Sequence, residues 1–288
     1  MAAAPGSIIQ RRRGLRVLGL LAPSLFWLGI FFVLPFVIIV IYSFLTRGTT
    51  GNVVWRFNIE NYSRLFGDVV YLRVFIRSLW IGALTTLGCL LLGYPLALFI
   101  VQRSPRWRSI LILLILIPFW TNFLVRTYAW MVILSNNGLI NMILRSLGFS
   151  DLNLMNTEGA VLLGLLYGEL PFMVLPIYAS LDRFDFTLLE AAQDLGANKW
   201  RSFMRVMLPL TMPGIVAGSV LVFIPTVGQF VVSDLLGGAK VALLGNLLQQ
   251  QFKAAQNWPF GSAIAILCML VLTAAVMVYL RTTSEEER

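Results

Sequence analysis

Four stretches of this 288-residue chain carry no charge over lengths that only a membrane-embedded segment ordinarily needs. Positions 17–46, 78–102, 206–233 and 254–280 run for 30, 25, 28 and 27 residues. A helix rises about 1.5 Å per residue, so roughly 20 apolar residues cross a ~30 Å hydrocarbon layer. Two further apolar stretches carry one charge each, 109–134 with Arg126 and 159–181 with Glu169. The chain therefore reads as an all-α integral membrane protein with six transmembrane helices. Apolar types make up 58% and charged types 12%, too little polar surface to cover a water-exposed globule.

Loop charge gives the orientation. With both termini inside, the inner segments 1–16, 102–108, 182–208 and 281–288 hold 13 Lys/Arg in 58 residues. The outer segments 46–77, 135–158 and 237–259 hold 8 in 79. That bias favours an N-in, C-in arrangement, although Arg47, Arg56, Arg64, Arg73 and Arg77 crowd the first outer loop. The organisation expected is a basic cytoplasmic segment at 1–16, a spanning domain over 17–281 with a cytoplasmic loop at 182–208, and a tail at 282–288. The first apolar stretch is too long for a signal-peptide core and no A-x-A-like site follows, so it reads as an uncleaved anchor.

Absences narrow the chemistry. Histidine is missing altogether, which removes Ser-His-Asp hydrolysis and every imidazole-dependent metal site. Cys89 and Cys268 sit singly in apolar runs, with no metal-ligand spacing. None of Lys199, Lys240 and Lys253 follows a glycine, so no phosphate-binding P-loop exists here. The net charge of +9 is explained by loop topology, and nucleic acid is not called for as a partner. An enzyme is not expected, and neither a metal nor any other cofactor is expected in this chain.

Gly164 and Gly168, and likewise Gly214 and Gly218, are four apart, a spacing that lets helix backbones approach closely. Packing within the chain and packing against another subunit both remain open. Pro118, Pro171, Pro176 and Pro225 fall in spans and free backbone carbonyls there.

The longest inner loop carries the strongest local pattern. Thr187 followed by Glu190 reads as a capping box that starts a helix, and Gly196 suits the left-handed position that ends one. Leu188, Ala191, Ala192 and Leu195 share a face at i, i+3, i+4 and i+7. A short helix with an apolar face at a membrane surface is either an interfacial helix in lipid or a docking element for a cytosolic partner.

Glu190-Ala191-Ala192, three residues, Gly196, nine residues, then Val206-x-Leu208-Pro209 resembles the EAA loop of permease subunits of ABC importers. Valine stands at 206 where that pattern has isoleucine. The stretches 118–122, 124–130, 170–178, 232–240 and 257–261 look like those of the spermidine/putrescine permease subfamily. The resemblance implies a type I importer permease in a bacterial inner membrane, moving polyamines by alternating access. It implies ATPase coupling through Glu190, Ala191, Ala192, Leu195, Gly196, Leu208 and Pro209. The implied partners are a cytosolic ATPase dimer binding ATP and Mg, a second homologous permease and a periplasmic polyamine-binding protein, with lipid around the spans.

A polycation crossing lipid needs carboxylates and aromatic faces in place of water. Glu169 and Asp234, with Trp120, Tyr128 and Tyr167 and the neighbouring Trp130 and Phe172, are the candidate path residues. Arg126 and Glu169 also lie at similar depth, about 3 Å apart along the membrane normal, so a structural ion pair between them is the competing expectation. A different solute, an anion or a metal chelate, would make Arg126 the cavity residue. A stand-alone channel would work without an ATPase.

Overall fold

The computed structural model describes residues 21–48 and 51–285. The basic segment 1–16, the first residues of the first span and the last three residues of the tail lie outside them. In chain order the elements are α1 (Leu21–Ser43), the two-residue strands β1 (Thr46–Arg47) and β2 (Val53–Val54), α2 (Glu60–Gly67) and α3 (Val69–Val101). Then come α4 (Pro105–Leu116), α5 (Phe123–Leu134), α6 (Leu139–Ser146) and α7 (Glu158–Asp182). The chain continues with α8 (Thr187–Asp194), α9 (Lys199–Leu210), α10 (Met212–Gly228), α11 (Leu244–Gln249) and α12 (Trp258–Glu285).

The six expected spans are matched by four unbroken helices and two bent helix pairs, each pair counted as one span. Among the described residues, α1, α3, α7 and Trp258–Met277 of α12 are long and apolar enough to cross a membrane unbroken. The other two spans are bent pairs. Pro105–Trp120 and Phe123–Ser146 meet at 90°, and Lys199–Leu210 and α10 meet at 66°. The expectation of one continuous helix over 109–134 is thereby corrected. Pro118 sits in a 3-10 turn, Ile117–Trp120, and Thr121 and Asn122 are extended. Pro171 and Pro176, in contrast, leave α7 continuous.

Two compact units divide the chain. One comprises the described residues up to 67 together with 251–269. In it β1 and β2 pair antiparallel, Thr46 opposite Val54. Asn61 donates to the carbonyls of Ser43 and Leu45 at 3.0 and 2.9 Å, and the Tyr62 hydroxyl donates to Ser43 Oγ at 2.9 Å. The two Asn61 bonds satisfy carbonyls left open where α1 ends.

The other unit runs from 68 to 250 and on from 270. The Asp68 carboxylate accepts from the Val70 N–H at 2.9 Å and caps α3. Its core joins Cys89, Ala97 and Ile100 of α3, Met173, Ile177 and Leu181 of α7, and Ile215 and Val222 of α10. Lipid is as apolar as these side chains, so the three helices hold together by close packing more than by expulsion of water. Gly214 and Gly218 make that packing possible. A Cβ at Gly214 would stand 2.7 Å from the Pro176 carbonyl oxygen, and one at Gly218 would stand 2.8 Å from Met173 Sδ. This pair therefore serves packing within the chain. Gly164 likewise meets Val232 and Leu236, whereas Gly168 has open space.

Candidate functional site

The loop helix α8 begins where the sequence places it but is capped differently. Thr187 is already helical and forms no capping box with Glu190. The Asp185 carboxylate instead accepts from the Thr187 backbone N–H at 3.0 Å and from its hydroxyl at 2.8 Å. Those two bonds hold the Asp185 carboxyl below the usual carboxylate range. Phe186, one position earlier, takes the N-cap place and is half-buried against the hydrophobic cluster of the bundle, so the capping side chain comes from the residue before it.

The far end follows the sequence reading. Gly196 has φ +89°, its N–H donates to the Gln193 carbonyl at 2.9 Å, and the Ala197 N–H donates to the Ala192 carbonyl at 3.0 Å. This pair of bonds is the Schellman motif.

One side of α8 rests on the protein and the other does not. Leu189 packs with Phe184 and Phe186 against the cluster that contains Leu181 and Met207. Leu188 is 43% exposed, Ala191 and Glu190 are exposed, Ala192 is half-buried, and Leu195 is 90% exposed. Leu189 is an anchor that the i, i+3, i+4 pattern did not include, because it marks the second of two apolar sides. Beyond Gly196, Asn198 caps α9 by accepting from the Arg201 N–H at 2.8 Å. Trp200, 65% exposed, stacks on Phe203 at 5.7 Å between ring centroids, and Phe203 meets Tyr94 of α3 edge-on at 5.6 Å. The Tyr94 hydroxyl bonds to Thr211 Oγ1, at the bend before α10, at 3.0 Å. A displacement of the loop thus has a packed route into α3 and α10. Leu208 joins the same core cluster and Pro209 is exposed. A groove of about 680 Å³ opens beside Leu188 and Asp185, walled by Pro176 and Ser180 of α7 and Pro213 and Ala217 of α10.

The candidate path residues separate into two groups. Around the break between α4 and α5, Phe119 meets Phe172 edge-on at 5.3 Å and Trp130 meets Tyr167 at 5.6 Å. The Arg126 guanidinium lies over Phe119 at 4.7 Å and over Phe123 at 5.8 Å. A cavity of only about 10 Å³ remains between Arg126, Trp130, Tyr167 and Gly168. Trp120 and Tyr128, at 79% and 53% exposure, do not line this cavity, and neither does Asp234. Asp234 lies in a single π-helical turn, Ser233–Gly237, beyond the end of α10, and its carboxylate accepts from Asn246. It is therefore a loop carboxylate outside the fifth span.

The expected ion pair between Arg126 and Glu169 is not formed. Among the described residues the ion pairs are Arg77–Glu158, Arg108–Asp182 and Arg145–Asp151. Arg126 Nε and Nη1 and Glu169 Oε2 are buried without a hydrogen-bond partner, as is Thr85 Oγ1 on α3. Equal depth was a poor guide because it ignores rotation about the helix. Glu169 shares its face of α7 with Leu165 and Met173, four residues away on either side and fully buried. Gly168 and Tyr167 are the residues that face Arg126. Phe119 and Phe123 were not singled out in the sequence, although Phe123 and Arg126 stand at the i, i+3 spacing of helical neighbours.

Within the larger unit, α3, α7 and α10 pack as a bundle, and the loop after α7 carries a half-docked helix. The chain belongs to the family of binding-protein-dependent transport system inner membrane components, whose model matches residues 89–283. It is thus a multi-pass inner-membrane transport component and not an enzyme. It is 44% identical over 257 residues to the spermidine/putrescine transport system permease protein PotB of Haemophilus influenzae, covering 88% of this chain and 90% of that protein. To PotB of Escherichia coli (strain K12) it is 45% identical over 259 residues, 89% of this chain and 94% of that protein. Among solved structures it is similar in fold to a bacterial ABC transporter involved in the import of the acidic polysaccharide alginate. That likeness has a TM-score of 0.75 at 18% identity and covers 94% of this chain and 96% of the other. The type I importer-permease architecture expected from the sequence is the observed one.

Proposed function

We propose that this chain is one of two permease subunits of an ATP-driven polyamine importer, and that α8 is its coupling helix. The observation that carries the coupling role is the exposed side of α8, with Leu188, Ala191 and Leu195 open to solvent on a helix fixed at both ends. An apolar helix face held rigidly off the membrane core fits the groove of a cytosolic partner. That partner is an ATPase dimer, which binds ATP and Mg and supplies the phosphate site this chain lacks. Glu190, Ala191, Ala192, Leu195 and Gly196 form the contact, and Leu208 and Pro209 carry its movement into the bundle through Phe203, Tyr94 and Thr211.

The polyamine assignment rests on near-full-length similarity at 44–45% to permeases of spermidine/putrescine systems. A periplasmic binding protein delivers the solute, the permease pair receives it, and ATP binding and hydrolysis switch the pair between outward-open and inward-open states. Glu169 offsets the charge of the passing cation. Isolation of the tagged chain in mild detergent should bring down an ATPase, a homologous permease and a periplasmic binding protein, identified by mass spectrometry. Vesicles holding that complex should take up labelled spermidine only with ATP. An anionic solute is the second reading, favoured by the partnerless Arg126 nitrogens. Sulfate competition with no spermidine competition would select it.

A further inference from the structure

Arg126 is an unusual residue to find where it lies. Asn122 caps α5 by accepting from the Leu124 N–H at 2.8 Å, so Arg126 stands in the first turn of that helix. A cation there faces the positive end of the helix dipole. Two of its nitrogens are buried without a partner, which leaves part of its desolvation cost unmet. No carboxylate forms a direct ion pair with it among the described residues, and Glu169 stands within electrostatic reach without touching it. What does hold it is aromatic: the guanidinium lies over Phe119 and near Phe123, with Trp130 and Tyr167 lining the remaining space. Ring faces attract cations most strongly where water is excluded.

The cavity beside it, at about 10 Å³, holds one water at most. No alkylammonium group fits while the Arg126 side chain is in place. Phe119 and Phe123 are also positioned by the break itself, Phe119 in the 3-10 turn before it and Phe123 at the first turn after it.

We infer that these aromatic faces form a binding site for an organic cation, an alkylammonium or guanidinium group, and that Arg126 occupies it with its own guanidinium until such a cation displaces it. Arg126 is then a tethered competitor that keeps the site filled and the local charge balanced when no substrate is present. The inference rests on the polyamine reading only for the identity of the incoming cation.

The test is chemical rescue in the purified importer complex. Arg126→Ala empties the site, and its thermal unfolding midpoint should fall below that of the unmodified protein. Millimolar methylguanidinium or n-butylammonium should restore the midpoint saturably in this variant and leave the unmodified complex unshifted, with sodium chloride at equal ionic strength as the control. Adding Phe119→Leu, which keeps apolar bulk and removes the ring, should abolish the rescue. No saturable rescue, or equal rescue without the Phe119 ring, overturns the site. A sulfate-dependent rise in the unmodified complex that Arg126→Ala removes would also overturn it, making Arg126 an anion ligand. Should Arg126→Ala not assemble, Arg126→Gln keeps most of the volume without the charge. Loss of a unit positive charge a few ångström away should then tighten apparent spermidine affinity roughly tenfold with slower turnover, and an unchanged affinity would sink the competitor role. Failure of the unmodified complex to bind spermidine at all would count against the polyamine reading and leave the methylguanidinium result to decide the site.

Discussion

The Asp185 carboxylate grips Thr187 twice, through the backbone N–H at 3.0 Å and the hydroxyl at 2.8 Å, and so fixes the start of the loop helix from outside it. Both bonds favour the ionised carboxylate, and the folded-state value lies below the unfolded one of about 3.9. The contribution is complete above the unfolded value and is lost as pH falls through the depressed folded value. Asp185→Asn keeps an acceptor but not the charge. We expect spermidine-stimulated ATPase activity to fall in this variant at pH 7, and the gap between variant and unmodified complex to narrow as pH drops below about 4. A gap that stayed constant with pH would show that the charge at 185 does not matter.

Gly196 ends the same helix at φ +89°, with no atom near the place of a Cβ. Any cost of a side chain there is conformational and not steric. Gly196→Ala should cost about 1–2 kcal/mol locally, while Gly196→Asn, which tolerates this conformation, should cost less. Both variants should reach the membrane in normal amount. Transport per ATP hydrolysed should drop more for Ala than for Asn, and the reverse order would argue that the Schellman turn is not what positions α8.

Gly218 and Gly168 predict opposite outcomes from the same substitution. At Gly218 a Cβ would meet Met173 Sδ at 2.8 Å and the Met173 carbonyl oxygen at 3.1 Å, so Gly218→Ala requires the Met173 side chain to move and the α7–α10 contact to loosen slightly. A cost of about 1–3 kcal/mol is expected for such overpacking. Gly168 has nothing within 4 Å, so Gly168→Ala should leave the unfolding midpoint unchanged in detergent. Equal shifts for the two would mean that the contacts of α7 differ in the assembled importer.

Much of this architecture was legible because membrane physics is strict. Charge-free stretches of 25 residues or more have few alternatives to spanning helices, and all four became them or parts of them. Gly196 was legible because a left-handed residue after an apolar run has one common use. What escaped the sequence was rotational and long-range. The break at Pro118–Asn122 could not be told from Pro171 or Pro176, which α7 absorbs without interruption. Glu169 stands within electrostatic reach of Arg126 but not in contact with it, a distinction that depth along the membrane normal could not make. Asp185 was overlooked because Thr187–Glu190 offered a familiar pattern two residues later, whereas the helix starts one residue earlier than that pattern implies, with half-buried Phe186 at the N-cap.

Glu169 is 7% exposed, and one of its oxygens has no partner although it sits midway along α7. An uncompensated charge at that depth costs roughly 2.5–3.5 kcal/mol. Glu169→Gln removes the charge while keeping the shape, so the unfolding midpoint of the complex should stay level or rise. If the carboxylate offsets the charge of a passing cation, uptake should fall at the same time: a single ammonium deprived of its counter-charge in a low-dielectric path loses at least about 1.4 kcal/mol, or tenfold. The diagnostic is the combination, a complex no less stable that moves labelled spermidine about ten times more slowly while its ATPase still responds to the loaded binding protein. Slower uptake accompanied by a lower midpoint would assign Glu169 to packing in the α3–α7 contact, where Cys89 lies near it. Unchanged uptake would take it out of the path.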